Sequence, residues 1–305
     1  MNAGSPVGAT HASPATRESG RRMRRPYIAL ALAVFALACD RNKPAKDPYY
    51  GPTLPLAQLV DQINQRNTRI DSIRAEGSFS AKLIDPETKK QTGGDGDAVV
   101  LFMPQKNLRL VGRVLGTRIF EIGSNEDRYW MIVYDKTDTM WWGNHRLIDA
   151  KGAGLLPVRP DLLSEVLCVG AINPDLLKDP SPVLRFNNDQ DCYMLTWQVM
   201  LSDRWAVQKE VWYDRQTLLP KLVLLFDGNG RIVLRAYLSK HSPVEGYDPT
   251  LQIASEYAMF FPDTGSTFSV TLKDLKRKSG NVPTLRSFNF PGETADVSKV
   301  IQVDE

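Results

Sequence analysis

The side chains best suited to chemistry in this 305-residue chain are three cysteines and three histidines, and their spacing excludes most of what they could do. His145 and His241 lie far apart, and neither stands in a metal-ligand spacing such as His-Glu-x-x-His. No Gly-x-Ser-x-Gly, phosphate loop or dinucleotide fingerprint occurs. Asp227-Gly228-Asn229-Gly230 and the stretch from Asn187 to Asp191 carry fragments of a calcium loop but lack its distal glutamate, which points to turn chemistry. The expectation is a protein that is not an enzyme and holds no metal or cofactor. Cys168 and Cys192 either pair in an oxidising compartment or remain two separate thiols.

The remaining cysteine, Cys39, has a different context. Arg21, Arg22, Arg24 and Arg25 precede an uncharged run from Tyr27 to Ala38, and small residues lead directly into Cys39. That is the basic, apolar, small layout of a secretory signal, and the run is too short to span a bilayer core of about 30 Å. Ala36-Leu37-Ala38-Cys39 resembles a bacterial lipobox, which implies a diacylglycerol on the Cys39 sulfur and cleavage before it. The alternative is an ordinary signal peptide with an incidental cysteine. Residues 1–38 are read as the leader, and Met23, which opens a compact signal, as an alternative start. Two or more acyl chains anchor a protein stably where one does not, so Cys39→Ala is expected to leave the chain uncleaved or released from the membrane. A variant that stays with membranes through high-salt and carbonate washes would overturn the lipobox reading.

Of 38 basic residues five precede Cys39, as does one of 35 acidic residues, leaving 33 basic against 34 acidic and a formal charge of −1. The basic balance of the whole chain therefore belongs to the leader, and nothing indicates nucleic acid as a partner. Residues 39–53 are polar and proline-bearing, as suits a tether.

The elements that would position any site follow from periodicity. Leu56, Leu59, Val60, Ile63 and Ile70 recur at helical spacing after Pro52 and Pro55, with Asn64 and Arg66 on the other face. From Ile73 the period becomes two, and short strand-like runs are separated by turns such as Asp85-Pro86 and Gly93-Gly94-Asp95-Gly96. A second helix is expected over Pro160–Val169, with proline in its first turn and Gly170 as its stop. Strands then resume to Leu275, and connections this short force antiparallel neighbours. A sheet of ten or more strands rarely stays flat. The predicted fold is α+β and mostly antiparallel β: a curved half-open β-barrel whose concave apolar face is covered by a few helices.

The order helix, polar loop, IDSIRAEG from Ile70 to Gly77, LRLVGRVLG from Leu108 to Gly116 and the aromatic Tyr129-Trp130 strand resembles the lipoprotein-sorting carriers of the LolA/LolB type. The resemblance covers residues 54–275 and leaves residues 276–305 as a C-terminal extension with no matching motif. It implies a half-barrel whose cavity holds the acyl chains of lipoproteins or lipids, at the periplasmic side of a bacterial envelope membrane. A tethered acceptor of that type is expected to present an apolar loop tip. Here the first long hairpin loop, from Asp85 to Gly94, is wholly polar, and the nearest apolar candidate is Gly154-Leu155-Leu156-Pro157.

Large apolar groups on the strands and the second helix make up the expected cavity lining: Phe102, Leu110, Phe120, Trp130, Ile132, Leu163, Val166, Leu167, Trp197, Trp212 and Leu224. The competing view is that these side chains simply fill a core. Two functions follow. One is a lipid-anchored carrier of acyl chains, and the other is a structural or stress-sensing module of the same fold, with a packed interior and an envelope protein as partner. An open apolar cleft of several hundred Å³ would favour the first and a filled interior the second.

Overall fold

The computed structural model describes residues 51–84, 88–104, 106–134, 138–145, 156, 158–201, 203–276, 283–292 and 295–304. Cys39 and residues 1–38, read above as a leader, lie outside them. No helix among the described residues is long and apolar enough to cross a membrane.

Among the described residues fourteen strands form one open sheet in the order β14-β6-β5-β4-β3-β2-β1-β13-β12-β11-β10-β9-β8-β7. Six of them, β1 (Ile73–Ile84), β2 (Gln91–Met103), β3 (Asn107–Val114), β4 (Thr117–Ser124), β5 (Arg128–Val133) and β6 (Thr139–Asn144), run as an antiparallel meander. A second meander comprises β7 (Pro182–Asn187), β8 (Cys192–Met200), β9 (Trp205–Asp214), β10 (Pro220–Phe226), β11 (Ile232–Pro243), β12 (Gln252–Phe261) and β13 (Ser266–Lys276). Antiparallel pairing of β1 with β13 joins the two. Because β7 and β14 are the unpaired ends, the fold is the half-open, mostly antiparallel α+β arrangement expected from the sequence.

Among the described residues two helices cover one face. The first, α1 (Leu56–Asn67), buries Leu59, Val60 and Ile63, the stripe set by its helical period. Two asparagines tie it to a distant segment: Asn64 pairs reciprocally with the backbone of Ile172 at 2.7 and 2.8 Å, and the buried Asn67 donates to the carbonyls of Gly170 (2.8 Å) and Cys168 (3.3 Å). The second helix, α2, spans only Pro160–Val166 and stops short of the predicted Val169. Cys168 takes a left-handed backbone (φ 53°), so the chain turns away two residues before Gly170. The α1 asparagines thus hold the segment into which α2 runs.

Side chains facing the helices merge into one large core, with Phe79, Phe102, Leu110 and Phe120 from the first meander and Leu195, Val211, Leu225, Tyr257 and Phe268 from the second. The outer face of β5 and β6 carries a separate cluster of Trp130, Ile132 and Met140. Its cover is the C-terminal segment. A 3-10 turn at Leu285–Phe288 accepts hydrogen bonds from Arg109 (3.3 Å) and Asn125 (3.1 Å). Phe290 then packs edge-on to Trp130 at 5.7 Å, and Ala295 and Val297 complete the layer. Finally β14 (Lys299–Gln302) pairs in parallel with β6. The extension without a recognisable motif is therefore the second cover of the sheet.

Two glycines in this region are set by close approach of a ring. A Cβ on Gly112 would lie 2.1 Å from the Phe120 ring on the inner face, and one on Gly123 would lie 2.1 Å from Trp130 on the outer. Each glycine is the direct cross-strand partner of its aromatic residue. The ring occupies the space the missing side chain leaves, which pins register and lets the sheet bend. On the outer face Glu121, almost wholly buried, is held between Arg109 (2.9 Å) and Arg118 (3.5 Å) and accepts from the Trp130 indole N–H at 3.4 Å.

Candidate functional site

Where α2 meets the inner face, β2 and β3 supply Val100, Leu108 and Leu110, and β12 and β13 supply Tyr257, Met259, Phe268, Val270 and Leu272. From above, α2 closes the space with Leu163, Val166 and Leu167. What remains is a cavity of about 30 Å³, one water or one methylene in size. Every residue on the wall except Tyr257 is wholly apolar.

The helix is held at its margins by charge. Asp161 in its first turn pairs with Arg159 at 2.7 Å, and Glu165 pairs with Lys209 of β9 at 2.7 Å. The Lys209 ammonium also lies 4.8 Å over the Trp197 ring. That ammonium draws the Glu165 carboxyl below its ordinary range. Both ends of α2 thus rest on ion pairs, the one at Asp161 buried and the one at Glu165 partly exposed, and the helix covers the cavity with apolar side chains between and beyond them.

The sequence-predicted residues divide between the two faces. Phe102, Leu110, Phe120, Leu163, Val166, Leu167 and Trp197 all belong to the inner, helix-covered core, and Leu110, Leu163, Val166 and Leu167 line the cavity itself. Trp130 and Ile132 lie instead in the outer cluster under the C-terminal segment. Trp212 is also elsewhere: its indole donates to Glu210 at 2.6 Å, on the side opposite Val211 and Tyr213, which enter the core. Leu224 alternates with the core residues Val223 and Leu225 and pairs across strands with Glu210. On these strands the inward residues are the immediate neighbours of the predicted ones.

Cavity residues that the sequence analysis passed over, Tyr257, Met259, Phe268, Val270 and Leu272, carry a clear signal in retrospect. They repeat at period two along β12 and β13. Attention to the largest aromatic groups obscured this aliphatic alternation. Of the apolar loop candidate, Leu156 is buried against Tyr129 and Val303, and its neighbours Gly154, Leu155 and Pro157 lie outside the described residues.

The groups with chemical potential are used structurally. Cys168 and Cys192 are both free, and burial pushes the Cys168 thiol up to about 12, which keeps it protonated and unreactive. Its Sγ faces the Glu165 carbonyl at 3.5 Å. His145 Nε2 sits between the Ser124 hydroxyl (3.1 Å) and the Asn125 carbonyl (2.9 Å), and His241 Nε2 lies 2.9 Å from the Pro220 carbonyl. Burial lowers the pKa of both rings. Asp227 spends its carboxylate on the backbone N–H groups of Asn229 and Arg231, each at 2.9 Å, which is the turn chemistry expected there. Among the described residues no group of three His, Cys, Asp or Glu side chains could hold a metal ion.

No family model matches the sequence, and no curated protein matches it. Several solved structures are similar. A DUF1329 family protein from Desulfovibrio piger has 15% identity and a TM-score of 0.49, with 76% of this chain and 95% of that chain covered. A domain from Vibrio parahaemolyticus named for outer membrane lipoprotein sorting has 12% identity and a TM-score of 0.48, over 76% and 95%. A LolA superfamily protein from Nitrosomonas europaea has 12% identity and a TM-score of 0.45, over 79% and 99%. At this level of likeness, function has to come from this chain's own residues.

Proposed function

We propose that this protein is a lipid-anchored bacterial envelope lipoprotein that binds acyl chains of lipids or lipoproteins on the inner face of its sheet, beneath α2, and acts by binding alone. The observation that carries the reading is an apolar wall covered by one seven-residue helix. A cavity of about 30 Å³ admits no acyl chain, so α2 has to move aside and the ligand has to replace Leu163, Val166 and Leu167. Rehydrating those three side chains costs about 5–9 kcal/mol at 1.5–3 each, whereas burying a sixteen-carbon chain yields about 10–13 kcal/mol at roughly 0.8 per methylene. The exchange is favourable. The Glu165–Lys209 and Arg159–Asp161 pairs supply the closed geometry without adding to the apolar grip.

This lid reading fixes the sign of a test. Ligand binds only the open form, so weakening α2 raises the competent fraction and tightens apparent affinity. Leu163→Ala is expected to increase affinity for a fluorescent sixteen-carbon probe about tenfold, the equivalent of about 1.4 kcal/mol, while thermal stability falls.

A second reading has one observation in its favour, the small cavity itself. In a module whose interior is permanently filled, serving as a scaffold or sensor for an envelope protein, Leu163→Ala would only enlarge a void and lower stability. Absence of saturable probe uptake by both the parent and the variant would decide for that reading.

A further inference from the structure

The outer face of the first meander carries a groove of about 460 Å³ between β1 and β4, far larger than the cavity under α2. Its floor is apolar, made by Val99 and Leu101 of β2 and Val111 of β3. Four arginines stand around that floor, Arg74 on β1, Arg109 and Arg113 on β3 and Arg118 on β4, beside two exposed carboxylates, Glu76 and Asp97. Strand register places them: Arg74 and Arg109 flank Leu101 in one row, and Asp97, Arg113 and Arg118 form another. Three of the arginines are engaged. Arg74 pairs with Glu76 at 2.9 Å, and Arg109 and Arg118 hold the buried Glu121. Arg113 is not: among the described residues it makes no hydrogen bond or ion pair, although Asp97 stands directly across from it on β2. On its other side it faces Arg118, and like charges directly opposite on neighbouring strands repel. A plain lattice of surface ion pairs would have joined Arg113 to Asp97.

We infer that this groove is a binding site for a phosphate ester, with Arg113 as its principal contact and Arg74, Arg109 and Arg118 around it. Charge sets the sign of the ligand. Four arginines against Glu76, Asp97 and Glu121 leave a surplus of one positive charge, so the groove attracts an anion. Geometry sets its class. The arginines approach the floor from three strands, and a tetrahedral phosphate offers oxygens in several directions where a planar carboxylate accepts within one plane. Donors remain to meet those oxygens: the whole Arg113 fork is unspent, and Arg109 keeps its Nε buried without a partner. The apolar floor favours an esterified phosphate over the bare ion, since Val99, Leu101 and Val111 can cover carbon and offer no side-chain donor. A glycerol phosphate, free or as the headgroup of a phospholipid, has this chemistry. The site lies on the face of the sheet opposite α2 and is independent of acyl-chain binding there.

Calorimetric titration of the full chain with glycerol 3-phosphate, dihexanoyl phosphatidylglycerol, inorganic phosphate and glutarate tests both class and source. Saturable binding of at least one of the two esters is expected, about tenfold tighter than glutarate and tighter than inorganic phosphate. Arg113→Gln should weaken that binding about tenfold or more. Arg235→Gln, which removes an arginine equally without a partner among the described residues from β11 in the second meander, should change it less than about twofold. Because Arg113 holds no partner in the empty protein, its replacement should leave the melting temperature no lower than that of the parent, so lost binding cannot be put down to unfolding. A loss confined to glycerol 3-phosphate identifies a soluble ester as the ligand, and a loss that includes dihexanoyl phosphatidylglycerol identifies a lipid headgroup. Glutarate or inorganic phosphate bound as tightly as the esters, equal losses in the two variants, or no saturable ester binding by the parent would each overturn the inference and leave the acyl-chain reading untouched.

Discussion

Removal of residues 277–305 is expected to yield a chain that does not fold to a soluble state, although every strand of both meanders would remain. The segment carries Phe290, Ala295 and Val297, which cover Trp130, Ile132 and Met140, three side chains now at most 1% exposed. Uncovering them costs about 5–9 kcal/mol at 1.5–3 each, comparable to the whole stability of a typical domain of about 5–15 kcal/mol. The same cut removes β14 and leaves the backbone of β6 as a bare edge beside the exposed rings. Solubility and a thermal melt check this. A truncated protein that unfolds cooperatively within a few degrees of the parent would show that the outer cluster does not depend on its cover.

Gly123→Val is a point substitution with a large expected cost. The first atom of any side chain there falls 2.1 Å from Trp130 ring atoms. The ring cannot yield, because it is fully buried, contacts Phe290 at 5.7 Å and donates to Glu121 at 3.4 Å. Overpacking of this kind costs about 3 kcal/mol or more, so the melting temperature should fall by about 6–12 °C. A double mutant separates mechanism from accident. If the clash with the ring is the cause, Gly123→Val on a Trp130→Leu background should cost less than half as much as on the parent. Additive costs would place the damage in the backbone instead.

These two results bear on why the sequence was legible in part. Strand periodicity, the α1 stripe and the proline start of α2 are local signals, and the structure contains all three. Facing was harder. Along β5, Tyr129, Trp130, Met131 and Ile132 are all buried: Met131 joins the inner core, Tyr129 packs against Leu156 and Val303, and Trp130 and Ile132 lie under a tail some 160 residues later in sequence. Alternation carries no phase when both faces are covered, so Trp130 and Ile132 read as inward although Met131 holds that role. Trp212 and Leu224 were misplaced on another ground: Glu210 partners the Trp212 indole and stands across from Leu224, so a half-buried outer face looks apolar in sequence. The end of α2 was invisible because Cys168, not glycine, takes the left-handed conformation. The helices were recognisable singly. Their connection through Asn64 and Asn67 to residues 168–172 was not, since an asparagine side chain in a helix does not name its distant backbone partner.

The parallel pairing of β14 with β6 sets an order of events during synthesis. Strand β6 ends at Asn144, whereas its neighbour begins at Lys299, about 155 residues later. Throughout elongation the growing chain therefore displays an unsealed strand bearing Trp141 and Trp142, together with the outer tryptophan cluster, and nothing local can close it. The join between the meanders is delayed in the same way, because β1 waits for β13. Until β14 docks, that open edge beside apolar rings is a place where nascent chains can associate with one another.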